Sequence, residues 1–254
     1  MALTPIDRNL INNCFNLRLI ATDMDGTLTS QGKFTASLLQ SLEKLNAANI
    51  AVLVVTGRSA GWVSGLVSYL PVVGAIAENG GIFYQGNSAV ALTPIPNLVE
   101  HRQKLAAAYQ QLKLEFGQLQ ESDDNRFRLT DWTFDNRDLT LAQLQRLDEQ
   151  CRAMGWGFTY SSVQCHIKPL LQDKAVGLMQ VLDKFFPDYN TKQVLTVGDS
   201  PNDASLFNPE LFGLSVGVAN VLDYANQMIY QPAYVTKAAE GDGFCELVRF
   251  LLSA

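Results

Sequence analysis

The sequence has few of the residues that cross-link a chain or bind zinc. Its 254 residues include four cysteines and two histidines, and no two of the cysteines form a Cys-x-x-Cys pair. A structural zinc site needs four such ligands at close spacing, and a disulfide framework needs a recognisable set of paired cysteines. The composition therefore favours free thiols in a reducing compartment and disfavours both kinds of site.

Long apolar runs and an excess of positive charge are also missing. No uninterrupted apolar stretch reaches the roughly 20 residues that cross a bilayer, and residues 1–16 lack the apolar core of a secretory signal. The net charge is −6, whereas non-specific nucleic-acid binding needs a basic surface. We therefore expect a cytoplasmic protein that binds neither nucleic acid nor membrane. The sequence leaves its oligomeric state open.

The chain instead alternates short β-branched runs with amphipathic helical patterns. The first part has apolar runs at 17–20, 50–55 and 72–77, with helical patterns at 36–48 and 59–69 between them. Strands that alternate with helices through short loops predict an α/β fold with a parallel sheet. Ligands bind such sheets at the carboxyl ends of the strands.

The pattern changes after residue 82 and returns at residue 169. The intervening segment shows a hairpin, helical patterns and further strands, at 81–92, 98–116, 126–130, 139–154, 158–160 and 164–168. Paired strands interleaved with helices predict an α+β unit. We therefore expect a Rossmann-like core formed by residues 1–82 and 169–254, with a cap domain inserted at residues 83–168.

Two aspartates, Asp23 and Asp25, follow the first apolar run directly and precede Gly26. Alternate residues of a strand point to opposite faces, so the two can act together only if the backbone leaves strand geometry, which Gly26 permits. Such a pair can bind a divalent cation and a phosphate, with one acid attacking phosphorus and the other moving a proton. An EF-hand loop would need further acids and a terminal Glu, which are absent here.

Further polar residues follow the other predicted strands. Thr56, Gly57 and Arg58 end the second strand, Asn79 follows the third, and the run 198–203, Gly-Asp-Ser-Pro-Asn-Asp, ends a later one. That run adds the carboxylates of Asp199 and Asp203 and the amide of Asn202. Four carboxylates in one crevice repel each other, and a hard cation such as Mg²⁺ removes that repulsion. Lys174 and Thr56 supply a cation and a hydroxyl suited to phosphate oxygens.

These motifs resemble, in order, those of the haloacid dehalogenase superfamily of phosphatases. The matching segments are Asp23-x-Asp25-Gly26-Thr27, Thr56-Gly57-Arg58, Lys174, and Gly198-Asp199-x-x-Asn202-Asp203. The position of the insert resembles the branch with a large α/β cap, which includes sucrose-phosphate phosphatase and Cof-type phosphatases. Ala175 departs from the pattern, because relatives often have glycine after the lysine.

The resemblance implies a role for each motif residue. Asp23 would be the nucleophile that forms an aspartyl-phosphate, and Asp25 would protonate the leaving oxygen and then activate water. Mg²⁺ would be held by Asp23, the backbone carbonyl of Asp25 and Asp199, with help from Asp203. The phosphate would be bound by the remaining motif residues: Thr56, Gly57, Arg58, Asn79, Lys174 and Asn202. Arg58 could instead pair with Glu78.

The expected activity is hydrolysis of a small phosphomonoester, with a sugar phosphate as the favoured substrate. Two alternatives stay open at this point: a phosphosugar mutase, and a non-catalytic module that binds a phosphorylated metabolite. The cap would select the substrate, with Arg126 and Arg128 on one face of a strand as its main candidates. Asp131, His166 and Lys168 are further polar candidates there, and His101 is expected to be a solvated helix residue.

Overall fold

The computed structural model describes residues 3–14 and 16–253. Within these ranges it contains seven α-helices: α1 (Arg8–Asn13), α2 (Ala36–Ala47), α3 (Ala60–Leu66), α4 (Leu98–Glu115), α5 (Leu141–Ala153), α6 (Lys174–Phe185) and α7 (Glu240–Leu252). The first six strands are β1 (Thr4–Pro5), β2 (Leu19–Thr22), β3 (Ala51–Val55), β4 (Gly74–Ala77), β5 (Ile82–Gln85) and β6 (Ser88–Ala91). The other six are β7 (Trp132–Asp135), β8 (Trp156–Tyr160), β9 (Gln164–Pro169), β10 (Val194–Gly198), β11 (Leu214–Gly217) and β12 (Tyr234–Val235).

The main sheet of the described chain has nine strands in the order β1-β12-β11-β10-β2-β3-β4-β5-β6. Every neighbouring pair from β1 to β4 is parallel, whereas β5 and β6 are antiparallel additions beyond β4. The strand order reverses at β2, which lies between β10 and β3. Open α/β sheets bind ligands at such a switch point. The expected α/β fold with a mainly parallel sheet is confirmed.

Each face of this sheet carries its own apolar layer, because successive residues of a strand point to opposite faces. On one face, Ile20 and Val54 pack with side chains of α2, α3 and α7. On the other, Leu19 and Leu53 pack with side chains of α6 and of the 3₁₀ helix Pro201–Phe207. The strands are therefore buried on both faces, as a parallel sheet requires.

A second, antiparallel sheet in the order β7-β9-β8 lies apart from the first. With α4 and α5 it encloses a third apolar cluster that includes Tyr109, Phe134 and Leu147. We refer to α4, β7, α5, β8 and β9 as the cap unit. Because β5 and β6 pair with the main sheet, the hairpin that the sequence assigned to the cap belongs to the core sheet. The predicted boundary at residue 83 therefore lies too early.

Several local predictions need correction. The strand predicted at 126–130 is absent from the described chain, and its first half lies in the 3₁₀ helix Asp123–Phe127. Ser59 occupies the N-cap position of α3 but its side chain makes no capping hydrogen bond. By contrast, the Thr35 hydroxyl accepts the hydrogen bond that caps α2. None of the helices in the described ranges combines the length and apolar content that crossing a bilayer needs.

Candidate active site

The carboxyl ends of β2 and β10 bring the acidic motifs together. The backbone leaves the strand after Thr22, and the following turn places Gly26 in the left-handed region with φ of 79°. A Cβ on Gly26 would lie 2.6 Å from an Asp199 carboxylate oxygen, so glycine is needed there for space as well as conformation. This close approach joins the turn after β2 to the end of β10.

Lys174 lies between two buried aspartates. Its Nζ donates to Asp23 Oδ1 at 2.5 Å and to Asp203 Oδ1 at 2.7 Å. The other Asp203 oxygen accepts from the backbone N–H groups of Asp199 and Ser200. Asp203 therefore holds both the lysine and the loop after β10 in place. The side chain of Lys174 has no solvent exposure, which excludes a solvated-charge role in this structure.

Asp199 is the third buried carboxylate. Its Oδ1 accepts from the Thr27 hydroxyl at 2.9 Å, and its Oδ2 accepts from Asn220 Nδ2 at 2.9 Å. Asn220 also donates to the Gly26 carbonyl and accepts from the Glu240 N–H. The end of β10 is thereby fixed to the turn after β2 and to the start of α7.

Asp23, Asp199 and Asp203 can bring one carboxylate oxygen each within 4.8 Å of one another. Lys174 supplies the one ammonium beside these three carboxylates, so the fully ionised cluster would have two uncompensated negative charges. Burial raises the pKa of Asp23 to about 7 although Lys174 opposes the shift, and burial beside Asp23 raises the pKa of Asp199. Burial also opposes the charge of Lys174, but Asp203 and Asp23 outweigh it and raise its pKa.

Asp25 forms a separate ion pair at the edge of the cluster. Arg58 Nε and Nη2 donate to its two oxygens at 2.8 and 2.6 Å. This bidentate arrangement fixes the orientation of the carboxylate relative to the guanidinium. The pKa of Arg58 is raised mainly by this hydrogen bond. The suggested pairing of Arg58 with Glu78 is therefore wrong, because Glu78 instead accepts from backbone N–H groups of Ala60 and Thr130.

Of the remaining predicted phosphate residues, Gly57 and Asn202 line the same crevice, whereas Thr56 and Asn79 form hydrogen bonds to residues that line it. The Thr56 hydroxyl is buried and accepts from the Arg58 N–H, while Gly57 lines the crevice beside Asp23. Asn202 Nδ2 donates to Asn79 Oδ1 at 3.1 Å. The structure thus brings all predicted core residues to one place, and it adds Thr27, Asn220 and Ser200 as hydrogen-bond partners.

The cap unit closes this crevice from the other side. Ser161, Val163, Gln164 and His166, which lie at or before β9, line it opposite the aspartates. The space between the two sides is about 10 Å³, close to the volume that one water molecule needs. A phosphate ester can therefore enter only when the cap unit moves away. Ser161, Val163 and Gln164 were not predicted, because they belong to no motif and show no strict alternation.

Arg128 and Arg126, the predicted selectivity residues, do not reach the crevice. Arg128 is buried, and its guanidinium pairs with Asp131 and Asp124 and donates to the Gly57 carbonyl. Arg126 is exposed and lies over the ring of Phe127. Their expected position on one strand face is wrong because this segment is a 3₁₀ turn.

Two other expectations about the cap unit change. His101 is half-buried, contacts the Thr130 carbonyl at 2.9 Å and packs edge-on against Trp156, so it is not a solvated residue. Lys168 is buried and donates to the Gln172 carbonyl. Neither residue lines the crevice: His101 packs against β8, and Lys168 joins β9 to the segment that follows it.

The site and the fold together define a class of protein. Four segments of the chain meet at the switch point of the parallel sheet, beside the cap unit. They supply the pair Asp23 and Asp25, the hydroxyl of Thr56, the ammonium of Lys174, and the further carboxylates of Asp199 and Asp203. This arrangement is typical of phosphatases of the haloacid dehalogenase superfamily. The chain is therefore a phosphoric monoester hydrolase of that superfamily.

Comparison with known proteins gives the family within this class. Residues 16–251 match the family model described as sucrose-6F-phosphate phosphohydrolase, and the chain belongs to that family. It is 30% identical over 237 residues to a phosphoglycolate phosphatase of Haloarcula marismortui, covering 90% of this chain and 95% of that one.

Solved structures show the same fold at lower identity. A crystal structure of a Thermoplasma acidophilum protein has a TM-score of 0.75 at 19% identity, covering 94% of this chain and 99% of that one. A haloacid dehalogenase-like hydrolase from Bacteroides thetaiotaomicron has a TM-score of 0.68 at 16% identity, covering 92% and 99%.

Proposed function

We propose that the protein is a Mg²⁺-dependent phosphatase that hydrolyses a small sugar phosphate through an aspartyl-phosphate on Asp23. The observation that carries this proposal is the buried cluster of Asp23, Asp199 and Asp203 around Lys174. When all three carboxylates are ionised, the cluster has two uncompensated negative charges, which match one divalent cation, and its oxygen ligands are those that Mg²⁺ prefers.

The donor set therefore fits the cation that the family implies. Asp23 and Asp199 would hold it through carboxylate oxygens and Asp25 through its backbone carbonyl, because the Asp25 side chain pairs with Arg58. Asp203 would mainly orient Lys174 and the loop after β10, since both of its oxygens already accept from Lys174 or from backbone N–H groups. When bound, Mg²⁺ would polarise a phosphoryl oxygen and neutralise charge on Asp23.

In the first half-reaction, an Asp23 oxygen attacks phosphorus and the ester P–O bond breaks. Asp25, which can take up a proton only after its bidentate pair with Arg58 opens, then gives that proton to the leaving oxygen. In the second, Asp25 takes a proton from water, the water oxygen attacks phosphorus, and the bond to Asp23 breaks. Lys174 and the Thr56 hydroxyl stabilise the charge that develops on the phosphoryl oxygens. Arg58 holds the carboxylate of Asp25 at the mouth of the crevice.

The names of the related proteins point to two substrate classes, sugar phosphates and phosphoglycolate. The family description names sucrose 6F-phosphate, whereas several curated relatives are named phosphoglycolate phosphatase. The crevice is lined by Ser161, Gln164, His166 and Asn202, side chains that form hydrogen bonds with hydroxyl groups. This lining supports a hydroxylated leaving group. The phosphatase relatives favour hydrolysis over a phosphosugar mutase or a non-catalytic module.

The test is phosphate release from a panel of sugar phosphates and phosphoglycolate, with Mg²⁺ and then with excess chelator. We expect release with Mg²⁺, none with chelator, and poor support by Ca²⁺, which prefers longer bonds and more ligands. Interconversion of sugar phosphates without release of phosphate would indicate a mutase instead. Full activity in chelator would contradict the metal assignment.

Asp23→Asn tests the nucleophile. An amide cannot attack phosphorus as a carboxylate does, so we expect turnover to fall by far more than tenfold while a circular dichroism melt still shows a folded protein. One decade in rate corresponds to about 1.4 kcal/mol of barrier. If the purified variant keeps more than about a tenth of the rate, the nucleophile assignment is wrong.

A further inference from the structure

The segment that leads into β7 is fastened to the core by a buried carboxylate. Glu78, in the turn after β4, has no solvent exposure. Its two oxygens accept from the N–H groups of Leu129 and Thr130 and from the Thr130 hydroxyl, at distances of 2.6 to 3.1 Å. Arg128, which precedes these residues, donates to the Gly57 carbonyl at 2.9 Å. We refer to these contacts as the anchor, because separating them would leave several buried polar groups unpaired at once.

Both chain connections between the main sheet and the cap unit pass beside the anchor. The chain leaves the sheet after β6 and returns after β9, and there the Thr93 hydroxyl donates to Gln172 Oε1 at 2.7 Å. Gln172 is buried, and its Nε2 donates to the Glu78 carbonyl and to the Thr130 hydroxyl. The covalent links and the anchor therefore meet at one place, and a rotation of the cap unit about that place disturbs them least.

The strand order of the cap sheet places β8 farthest from the anchor. β7 follows the anchored segment directly, β9 lies in the middle, and β8 forms the other edge. The start of β8 pairs with the end of β9, where the chain returns to the core, whereas Tyr160 at the other end of β8 pairs with Cys165. Ser161 and Val163, which line the crevice, lie in the loop at that far end. A rotation about the anchor therefore moves this loop the most.

A single hydrogen bond joins β8 and the loop after it to the core in the described ranges. Tyr160 Oη donates to Gln227 Oε1 at 2.8 Å, and both residues are half-buried. Gln227 is the last residue of a 3₁₀ helix of the core. Beside this bond, α5 and β8 of the cap unit are separated from the core by a space of about 500 Å³. Few van der Waals contacts cross such a space, so this edge of the cap unit is held less firmly than the anchored edge.

We propose that the hydrogen bond from Tyr160 to Gln227 is an autoinhibitory latch, and that the cap unit opens by rotation about the anchor when this bond breaks. The latched crevice has about 10 Å³ of space, which suits one water and not a phosphate group. The latched form therefore binds neither an ester nor inorganic phosphate, and every ligand must compete with the latch. A protein of which only a fraction is competent binds its ligand with an affinity reduced by that fraction.

Tyr160→Phe tests the latch, because it removes the phenol hydroxyl and keeps the ring. The equilibrium then shifts towards the open form, so we expect inorganic phosphate, with Mg²⁺ present, to bind about twofold to tenfold more tightly than to the wild type, the range that one neutral hydrogen bond supplies. Isothermal titration calorimetry measures the dissociation constant. A substitution that only damaged the crevice would weaken binding, so tighter binding distinguishes a latch from a structural role. Unchanged or weaker binding would overturn the proposal.

The matched control is Tyr109→Phe, which removes a hydrogen bond to the Leu119 carbonyl that does not join the cap unit to the core. Phosphate binding should be unchanged in this control. Gln227→Leu removes the acceptor of the latch and should tighten binding as Tyr160→Phe does. The double variant should gain nothing beyond either single variant, because both break the same bond. Additive gains would mean that the two residues act separately and would contradict the latch.

Hydrogen exchange measured by NMR tests the anchor in the free protein. The amides of Leu129 and Thr130 donate to Glu78 and exchange only when the anchor opens. We expect equal exchange rates for them in the wild type and in Tyr160→Phe. Faster exchange in the variant would show that the whole cap unit lifts away, which would overturn the rotation. Equal phosphate binding by both proteins would overturn the latch alone, whereas binding by neither would overturn the proposed function and the latch with it.

Discussion

At the scale of single residues, Arg128 shows how surroundings decide a role. The guanidinium is buried between Asp131 and Asp124 and also donates to the carbonyl of Gly57, so it joins the cap unit to the loop after β3. Through Asp131 it also orients the ring of His166. An arginine in this position supports the crevice without touching the substrate.

Arg128→Ala should therefore lower stability. Removal of one partner from a buried ion pair leaves Asp131 uncompensated, which costs about 3–5 kcal/mol in the free energy of unfolding. The matched control is Arg126→Ala, two residues away and exposed, which should change that free energy by less than about 0.5 kcal/mol. Urea unfolding of both variants measures the difference, and similar losses in the two would refute this account of Arg128.

The buried ring of His166 should give stability a pH dependence. Because its pKa is lower in the folded protein than the usual 6.5, the unfolded chain binds more protons below that pH. The ring's contribution is fully present above pH 6.5 and is lost as the pH falls through and below that value. The groups that act on it are Asp131, Arg128 and Lys174.

Urea unfolding of the wild type and His166→Asn at pH 8 and pH 5.5 isolates this effect, because other titrating groups are common to both proteins. We expect the wild type to lose more stability than the variant when the pH is lowered. A stability difference between the two that does not vary with pH would mean that the ring is not held neutral.

At the scale of elements, the start of α6 depends on the turn after β4. Gly80 has φ of 102°, and a Cβ there would lie 2.0 Å from the carbonyl oxygen of Asp173. Asp173 is the N-cap of α6, and its carboxylate accepts from the Val176 N–H. Lys174 is the first residue of that helix, so the close contact with Gly80 sets where the lysine lies.

Gly80→Ala should disturb both stability and catalysis. The left-handed conformation costs an alanine about 1–3 kcal/mol, and overlap with the Asp173 backbone adds about 1–3 kcal/mol. The control is Gly86→Ala in the β5–β6 turn, which has φ of 54° but no atom within 4 Å of the added methyl group. We expect only Gly80→Ala to lower the rate of phosphate release, since it displaces Lys174. Equal losses of stability and rate in the two variants would show that the contact is unimportant.

At the scale of the whole molecule, the acidic cluster is assembled from segments far apart in sequence. Asp23 follows β2, Lys174 begins α6 and Asp199 follows β10, so the cluster exists only when the sheet is formed. A cation that binds this cluster would bind the folded protein and not the unfolded chain. Binding of this kind stabilises the fold by mass action.

Mg²⁺ should therefore raise the melting temperature relative to chelator. At a concentration 100-fold above the dissociation constant, the gain in unfolding free energy is about 2.7 kcal/mol. Asp199→Asn should remove most of this gain, whereas Asp188→Asn, an exposed aspartate, should keep it. Differential scanning calorimetry measures the melting temperature independently of activity. A melting temperature that is the same with Mg²⁺ and with chelator would exclude the proposed metal site.

The sequence by itself determined the alternating α/β pattern and the order of the core motifs. Residues such as Asp23, Thr56 and Asp199 stand at the ends of apolar runs, and a parallel sheet necessarily gathers such ends at one edge. Local pattern and motif spacing are enough for this conclusion, because the strands of a parallel sheet are apolar runs that can be recognised from neighbouring residues alone.

The tertiary structure alone decided which of these side chains pair and which face the crevice. Arg58 pairs with Asp25 rather than Glu78, Arg128 is buried rather than facing substrate, and the hairpin at β5 and β6 joins the core sheet. Such pairings depend on desolvation and on contacts between residues distant in sequence. Periodicity does not report these contacts, so the cap side of the crevice, including the orientation of His166, emerged only from the folded chain.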